Sequence, residues 1–183
     1  MLAQIGVFLI DAVITFFVFV LLARFHFQWL RVPFRNPVGE FVLATTSWLV
    51  VPLRRVVPGL AGLDLASLLA AFVVQAFDLW AQAAIVGAQP GVGVIAAIAA
   101  VDLVRYSLYI LVFAVIVQAV LSWVNPYTPL APAFDTLTRP FLRPLRRFVP
   151  PVGNVDLTPL ILLLVLYVAL IVVDHVRVAA ASV

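Results

Sequence analysis

Long apolar runs alternate with shorter polar, proline-rich ones along this chain. A hydrocarbon core of roughly 30 Å needs about 20 apolar residues of helix. Four segments meet that length: about 3 to 24, 65 to 88, 96 to 124 and 157 to 177. A short surface piece from Val92 precedes the third, and Pro90 and Gly91 punctuate its link to the second. The stretches 25 to 64 and 125 to 156 are too polar and too rich in proline to span. The first run, Ile5 to Ala23, lacks a basic flank and is long enough to cross. It therefore reads as a retained span and not a cleaved signal peptide.

Composition agrees with the pattern. The chain has 183 residues, of which 66% are hydrophobic and 10% charged, against about a quarter charged in an ordinary soluble domain. A soluble chain this short could not hide so much apolar surface, so the expected class is an all-α membrane protein with four transmembrane helices. The absence of cysteine excludes disulfides, thiolate metal sites and a cysteine nucleophile. All eleven basic residues are arginines. Nine of them, at 24, 31, 35, 54, 55, 139, 143, 146 and 147, fall in the two polar stretches or, for Arg24, at the edge of the first. The positive-inside rule places both stretches in the cytoplasm, and an even number of spans then puts both termini outside.

A shift of 92 residues lays the sequence on itself through the polar stretches. Pro37 falls on Pro129 and Thr46 on Thr138. "PLRRVVP" (Pro52 to Pro58) falls on "PLRRFVP" (Pro144 to Pro150), and Asp64–Leu65 on Asp156–Leu157. The unit is helix, basic loop, helix, and residues 1–92 and 93–183 are two copies. Each copy has two spans, so they insert with the same orientation, as a parallel repeat about an axis along the membrane normal.

In the second polar stretch Leu130, Phe134, Leu137, Phe141, Leu145 and Phe148 recur at helical spacing, with Asp135, Arg139, Arg143, Arg146 and Arg147 on the other side. That amphipathic pattern suits a helix lying in the membrane interface. Pro140 and Pro144 each remove a backbone donor and clash with the preceding turn, so two short pieces joined by a bend are expected. The first stretch keeps apolar positions at Val38, Val42, Leu49, Leu53 and Val56, and keeps Arg54 and Arg55. It has Ser47 and Val51 in place of Arg139 and Arg143. Each arginine near an anionic surface contributes about 1 kcal/mol, so the six residues Arg54, Arg55, Arg139, Arg143, Arg146 and Arg147 are the candidate lipid or partner contacts. Asp64 and Asp156 stand where the chain re-enters the membrane and suit the first turn of a helix. A site role for the Arg–Arg…Asp constellation is the alternative.

Asp11, Asp78, Asp102 and Arg105 lie within or near the spans, where ionisable groups are costly and need partners. With a rise of about 1.5 Å per residue, Asp11 and Asp78 reach a similar depth. Arg105 is expected to pair with one of them, with Asp102, three residues away, as the competing partner. Ser67, Ala71, Gln75, Asp78 and Gln82 form a stripe on one face of the second span. A stripe of this kind faces other helices. It reads as interhelical hydrogen bonding, as a hydrophilic path in which Asp78 holds a cation or proton, or as a quinone or haem contact. His26 and His175 lie near span ends and read as interfacial residues. Trp29, Trp48, Trp123, Tyr106, Tyr109 and Tyr127 read mostly as the aromatic belt. No phosphate loop, Ser/His/Asp arrangement or metal-ligand cluster is present, so neither enzymatic activity nor a cofactor, metal or nucleic-acid partner is expected.

"NPV…PLRRVVPGLAGLDLASLL" and "LSWVNPYTPLAP…RPFLRPLRRFVPPVGNVDLTPLILLL" resemble the two repeats of the YggT (YlmG) family of small bacterial inner-membrane proteins. The first copy departs from the second in having Ala66 and Ser67 where Thr158 and Pro159 stand. The resemblance implies multi-pass insertion in the bacterial inner membrane. It also implies links to cell division and membrane organisation, to osmotic tolerance, and to maturation of a b-type cytochrome in plastid relatives. It implies no reaction and no catalytic residue. The expected function is a non-catalytic organising or assembly protein, in contact with membrane lipids and an unidentified membrane protein or a second copy of itself. A small oligomeric ion channel or transporter and a cytochrome assembly factor are the alternatives.

Overall fold

The computed structural model describes residues 2–59, 62–149 and 156–182. These form six helices: α1 (Leu2–Trp29), α2 (Pro37–Leu53), α3 (Leu65–Ile85), α4 (Val92–Val124), α5 (Ala131–Phe148) and α6 (Thr158–Ala181). Four of them, α1, α3, α4 and α6, are long and apolar enough to cross a membrane. Many of their large apolar side chains point outward, including Phe8, Phe77, Phe113 and Leu164, as expected where lipid tails take the place of a core. The shorter α2 packs on α1 and α3, and α5 packs on α4 and α6. One apolar cluster joins Val18, Leu21 and Leu22 of α1 to Val50 of α2 and Ala66, Ala70 and Ala71 of α3. The small alanines let these backbones approach closely. A second joins Val115 of α4, Leu142 of α5 and Leu162 and Leu166 of α6.

The boundaries have local causes. Asn36 accepts the Gly39 amide at 2.9 Å and starts α2, with Pro37 in the first turn. Gly39 lies so close to the preceding loop that a Cβ there would stand 2.5 Å from the Phe34 carbonyl oxygen. The helix α3 stops at Ile85 because Gly87 takes φ 75°. Its amide bonds to Ala84 O while that of Ala88 bonds to Ala83 O, and this left-handed cap satisfies the last carbonyls. The span therefore ends a few residues before the 88 expected from hydropathy.

The structure differs from the sequence expectations in four other places. The helix α1 runs through Arg24 to Trp29, because Arg24 is buried and neutralised inside the bundle and does not mark the membrane surface. The helix α4 is continuous from Val92, with no separate surface piece; its length of about 50 Å exceeds the bilayer core, so it tilts or projects. The helix α5 is also unbroken across Pro140 and Pro144. The two prolines are four apart and share the exposed face, so the carbonyls they leave free lie on that face and the packed face is undisturbed. In α2 the buried stripe is Gly39, Val42, Thr46 and Val50, and Val56 lies exposed beyond the helix end. The expected match of Pro150 to Pro58 falls outside the described residues.

Candidate polar clusters of the bundle

Polar side chains gather at two levels. At the level of α2 and α5, Asp64 caps α3 and accepts the Ser67 amide at 3.4 Å and the Ser67 hydroxyl at 2.5 Å. The same carboxylate receives Arg54 at 2.6 Å and lies 3.7 Å from Arg24 Nε. Arg24 is only 3% exposed and donates to the hydroxyls of Thr46, at 2.8 Å, and Ser47, at 3.2 Å. Two cations thus share one buried carboxylate. Burial alone would raise the Asp64 pKa, but the hydrogen bonds from Arg54 and Ser67 outweigh it and hold the group below the usual carboxylate range.

The arrangement recurs 92 residues on, in a more open form. Asp156 accepts the Thr158 amide at 2.9 Å and hydroxyl at 2.6 Å, and pairs with Arg146 at 3.0 Å. Burial again acts to raise its pKa, and Thr158 and Arg146 bring it below the ordinary value. Both members of this pair are about 40% exposed. Ile116, exposed, stands where the first half has Arg24. Asp64 is thus the N-cap of α3, Asp156 accepts the first amide of α6 from one residue before its N-cap Leu157, and each carboxylate also pairs with an arginine.

These contacts divide the six candidate arginines. Arg54, Arg139 and Arg146 are held by Asp64, Asp135 and Asp156. Among the described residues, Arg55, Arg143 and Arg147 are exposed and pair with no carboxylate.

The second level lies toward the ends of the spans away from α2 and α5. Gln75 and Asp78 are buried there against neighbouring helices, on the stripe that Ser67 and Ala71, also buried, begin nearer α2. Gln82 donates to Asp11 at 3.0 Å and to Asp78 at 2.7 Å, which brings together two carboxylates that the sequence places at one depth. Gln75 donates to Asp102 at 3.1 Å.

The expected pairing of Arg105 with Asp11, Asp78 or Asp102 is overturned. Arg105 contacts Asp174 at 3.0 Å, and Asp102 is taken by Arg177 at 2.5 and 3.3 Å. The cause is the packing of α4 along α6 in opposite directions. "DLVR" (Asp102–Arg105) and "DHVR" (Asp174–Arg177) are the same pattern, so antiparallel alignment sets each aspartate against the other arginine. Sequence reasoning missed Asp174 and Arg177, although the repeated Asp-x-x-Arg was visible. It recurs at 72 residues and so is invisible at the 92-residue offset. Arg105 also lies 5.6 Å from the Tyr109 ring centroid, and the half-buried Tyr106 ring meets that of Phe19 at 4.9 Å, tilted by 44°. His26 and His175 each meet the backbone carbonyl one turn back, at 2.7 Å. Among the described residues no group of three or more histidine, aspartate or glutamate side chains is placed to hold a metal ion.

Four long apolar helices, two short helices laid on them and charge pairs closed between spans define a multi-pass helical membrane protein. The CCB3/YggT family matches residues 3–85 and 97–176, and the chain belongs to that family. It is 36% identical over 163 residues to YggT of Escherichia coli (strain K12), covering 88% of this chain and 85% of that protein. A Pseudomonas aeruginosa relative is 32% identical over 165 residues, with 88% and 84% covered, and one from Vibrio alginolyticus 30% over 158 residues, with 85% of each. All three are described as uncharacterized proteins. No solved structure matches the chain.

Proposed function

We propose that this protein is a non-catalytic organiser of the bacterial inner membrane, holding anionic lipid and a membrane partner through its two basic helical segments. The observation that carries the reading is the division of labour on α5. It buries Phe134, Leu137 and Leu142 on the bundle and presents Arg143 and Arg147 free of carboxylates. Arginines without internal partners at headgroup level attract phosphate. The orientation that belongs with this reading has α2 and α5 cytoplasmic and both termini outside, by the positive-inside rule. Its architecture is two tandem parallel copies. In support, each half has a span, a short helix and a span, and the pairs Arg54–Asp64 and Arg146–Asp156 stand 92 residues apart.

The test is thermal unfolding of detergent-purified protein with added phosphatidylglycerol or phosphatidylcholine. Phosphatidylglycerol stabilises the wild type, as any ligand of the folded state does, and salt weakens the effect. Replacing Arg55, Arg143 and Arg147 by glutamine removes most of it. Equal stabilisation of wild type and variant sinks the reading. A photocrosslinker at Arg147 identifies the partner.

A second reading, a route for a proton or small cation through an oligomer, is supported by Asp11 and Asp78. They share the Gln82 amide and have no basic partner among the described residues. Asp78 Oδ1 and Gln75 Oε1 are buried without a hydrogen bond. Ion flux in proteoliposomes that Asp78→Asn abolishes decides for this reading, and absence of flux from folded protein decides against it.

A further inference from the structure

An apolar slot of about 620 Å³ opens between the two halves of the bundle, lined by α1, α2, α4 and α5. Along α1 its lining runs from Phe16 to Phe27, a rise of about 16 Å at 1.5 Å per residue. That is close to half of a hydrocarbon core of roughly 30 Å, the depth of one leaflet. The slot is lined by apolar side chains along this length. Its walls include Phe16 against Phe41, ring centroids 6.2 Å apart, and Phe113 against Phe134, 6.1 Å apart.

The end of the slot nearest α2 and α5 is closed by the loop that joins α1 to α2. Val32 and Phe34 turn inward there and cluster with Phe27, Ala114 and Phe134. The residues beside them, Arg31 and Arg35, turn outward and are exposed. Among the described residues neither pairs with a carboxylate. Two free cations on the loop that closes one end of an apolar slot one leaflet deep complement an anionic head on an apolar tail. We infer that the slot binds one anionic phospholipid of that leaflet, with an acyl chain between the halves and its phosphate on Arg31 and Arg35. This deepens the reading of the protein as a lipid-binding organiser and rests on its placement of the basic segments at headgroup level, but it uses different arginines.

The native chain has no cysteine, so a single bimane label can be placed at will. Phe113→Cys puts it on the slot rim. Val168→Cys puts it on the exposed face of α6 at a similar distance from the α5 end of its span. Both proteins are reconstituted in phosphatidylcholine with about 5 mol % phosphatidylglycerol carrying brominated chains, which quench the label on contact. An arginine at the surface enriches anionic lipid roughly fivefold, so two give about thirtyfold. At that preference the slot label is in contact with a quencher about 60% of the time, against about 5% for the control. The excess falls to the control level in Arg31→Asn with Arg35→Gln; asparagine suits the φ of 55° at position 31. Ala23→Phe, which fills the slot, has the same effect if it folds.

Three results overturn the inference. Equal quenching at both labels means no preferred lipid. The same excess with brominated phosphatidylcholine means an apolar groove without anionic selectivity. A slot label that no lipid quenches means that a protein, partner or second copy, fills it. Failure here with intact stabilisation through Arg55, Arg143 and Arg147 separates this inference from the broader reading.

Discussion

Asp64 and Asp156 occupy equivalent places in the two halves, yet removing them should not cost the same. Asp64→Ala strips the counter-charge from two arginines, one of them 3% exposed, and deletes the cap on α3. Breaking a buried pair by removing one partner costs about 3–5 kcal/mol, and the cap adds about 1. Asp156→Ala also loses a first-turn acceptor, worth about 1 kcal/mol. Its pair with Arg146 is about 40% exposed on each side, where an ion pair contributes about 0–1 kcal/mol. The expected difference is about 3 kcal/mol. Reversible unfolding in mixed detergent–dodecyl sulfate micelles measures it. Arg24→Ile in the Asp64→Ala background copies Ile116 of the second half and removes the stranded buried charge. It should therefore recover most of the ion-pair loss and leave only the cap term. Equal costs for the two aspartates to within about 0.5 kcal/mol, or no recovery on adding Arg24→Ile, would refute the argument that burial of the Arg24–Asp64 contact sets the asymmetry.

Three further outcomes are expected. Both aspartates have folded-state pKa values below the unfolded value of about 4. Their contribution is therefore complete above that value and is lost as pH falls through the lower folded value; unfolding midpoints at about pH 7 and pH 3 should converge more in Asp64→Asn than in Asp156→Asn. Gly39→Ala pushes a Cβ to 2.5 Å from a backbone oxygen that cannot swing aside, so it should destabilise by about 1–3 kcal/mol, read as a lower thermal midpoint. Arg177→Gln leaves fully buried Asp102 with Gln75 alone and should cost about 3–5 kcal/mol. Arg105→Gln, whose partner Asp174 is half exposed, should cost about 1 kcal/mol or less; the same micelle titration compares them.

The spans were legible because apolar length is a one-dimensional property. Their ends were less so. Arg24 reads as a boundary when charge is taken to mean water, and only the fold reveals Thr46, Ser47 and Asp64 waiting for it. The depth argument that joined Asp11 to Asp78 worked because α1 and α3 run antiparallel within one hairpin unit. It failed for Arg105, because depth says which residues share a level and not which helices touch. The polar stripe of α3 followed from local spacing, whereas the pairs Arg54–Asp64 and Arg146–Asp156 needed the fold. The α4–α6 clasp needed the relative rotation of two spans, which neither hydropathy nor the 92-residue offset contains. Proline misled for α5 because the rule against it concerns packed or unsupported turns, and Pro140 and Pro144 sit on an exposed side.

The clasp between α4 and α6 also sets a timetable for biosynthesis. Asp102 leaves the ribosome 75 residues before Arg177, a delay of about 4–15 s at ordinary elongation speeds. Throughout that interval Asp102 and Arg105 of α4 lack their charge partners on α6. Asp102 and Arg105 gain their interhelical charge partners only when α6 turns back along α4. A product stopped before Thr158 therefore lacks both ion pairs between α4 and α6.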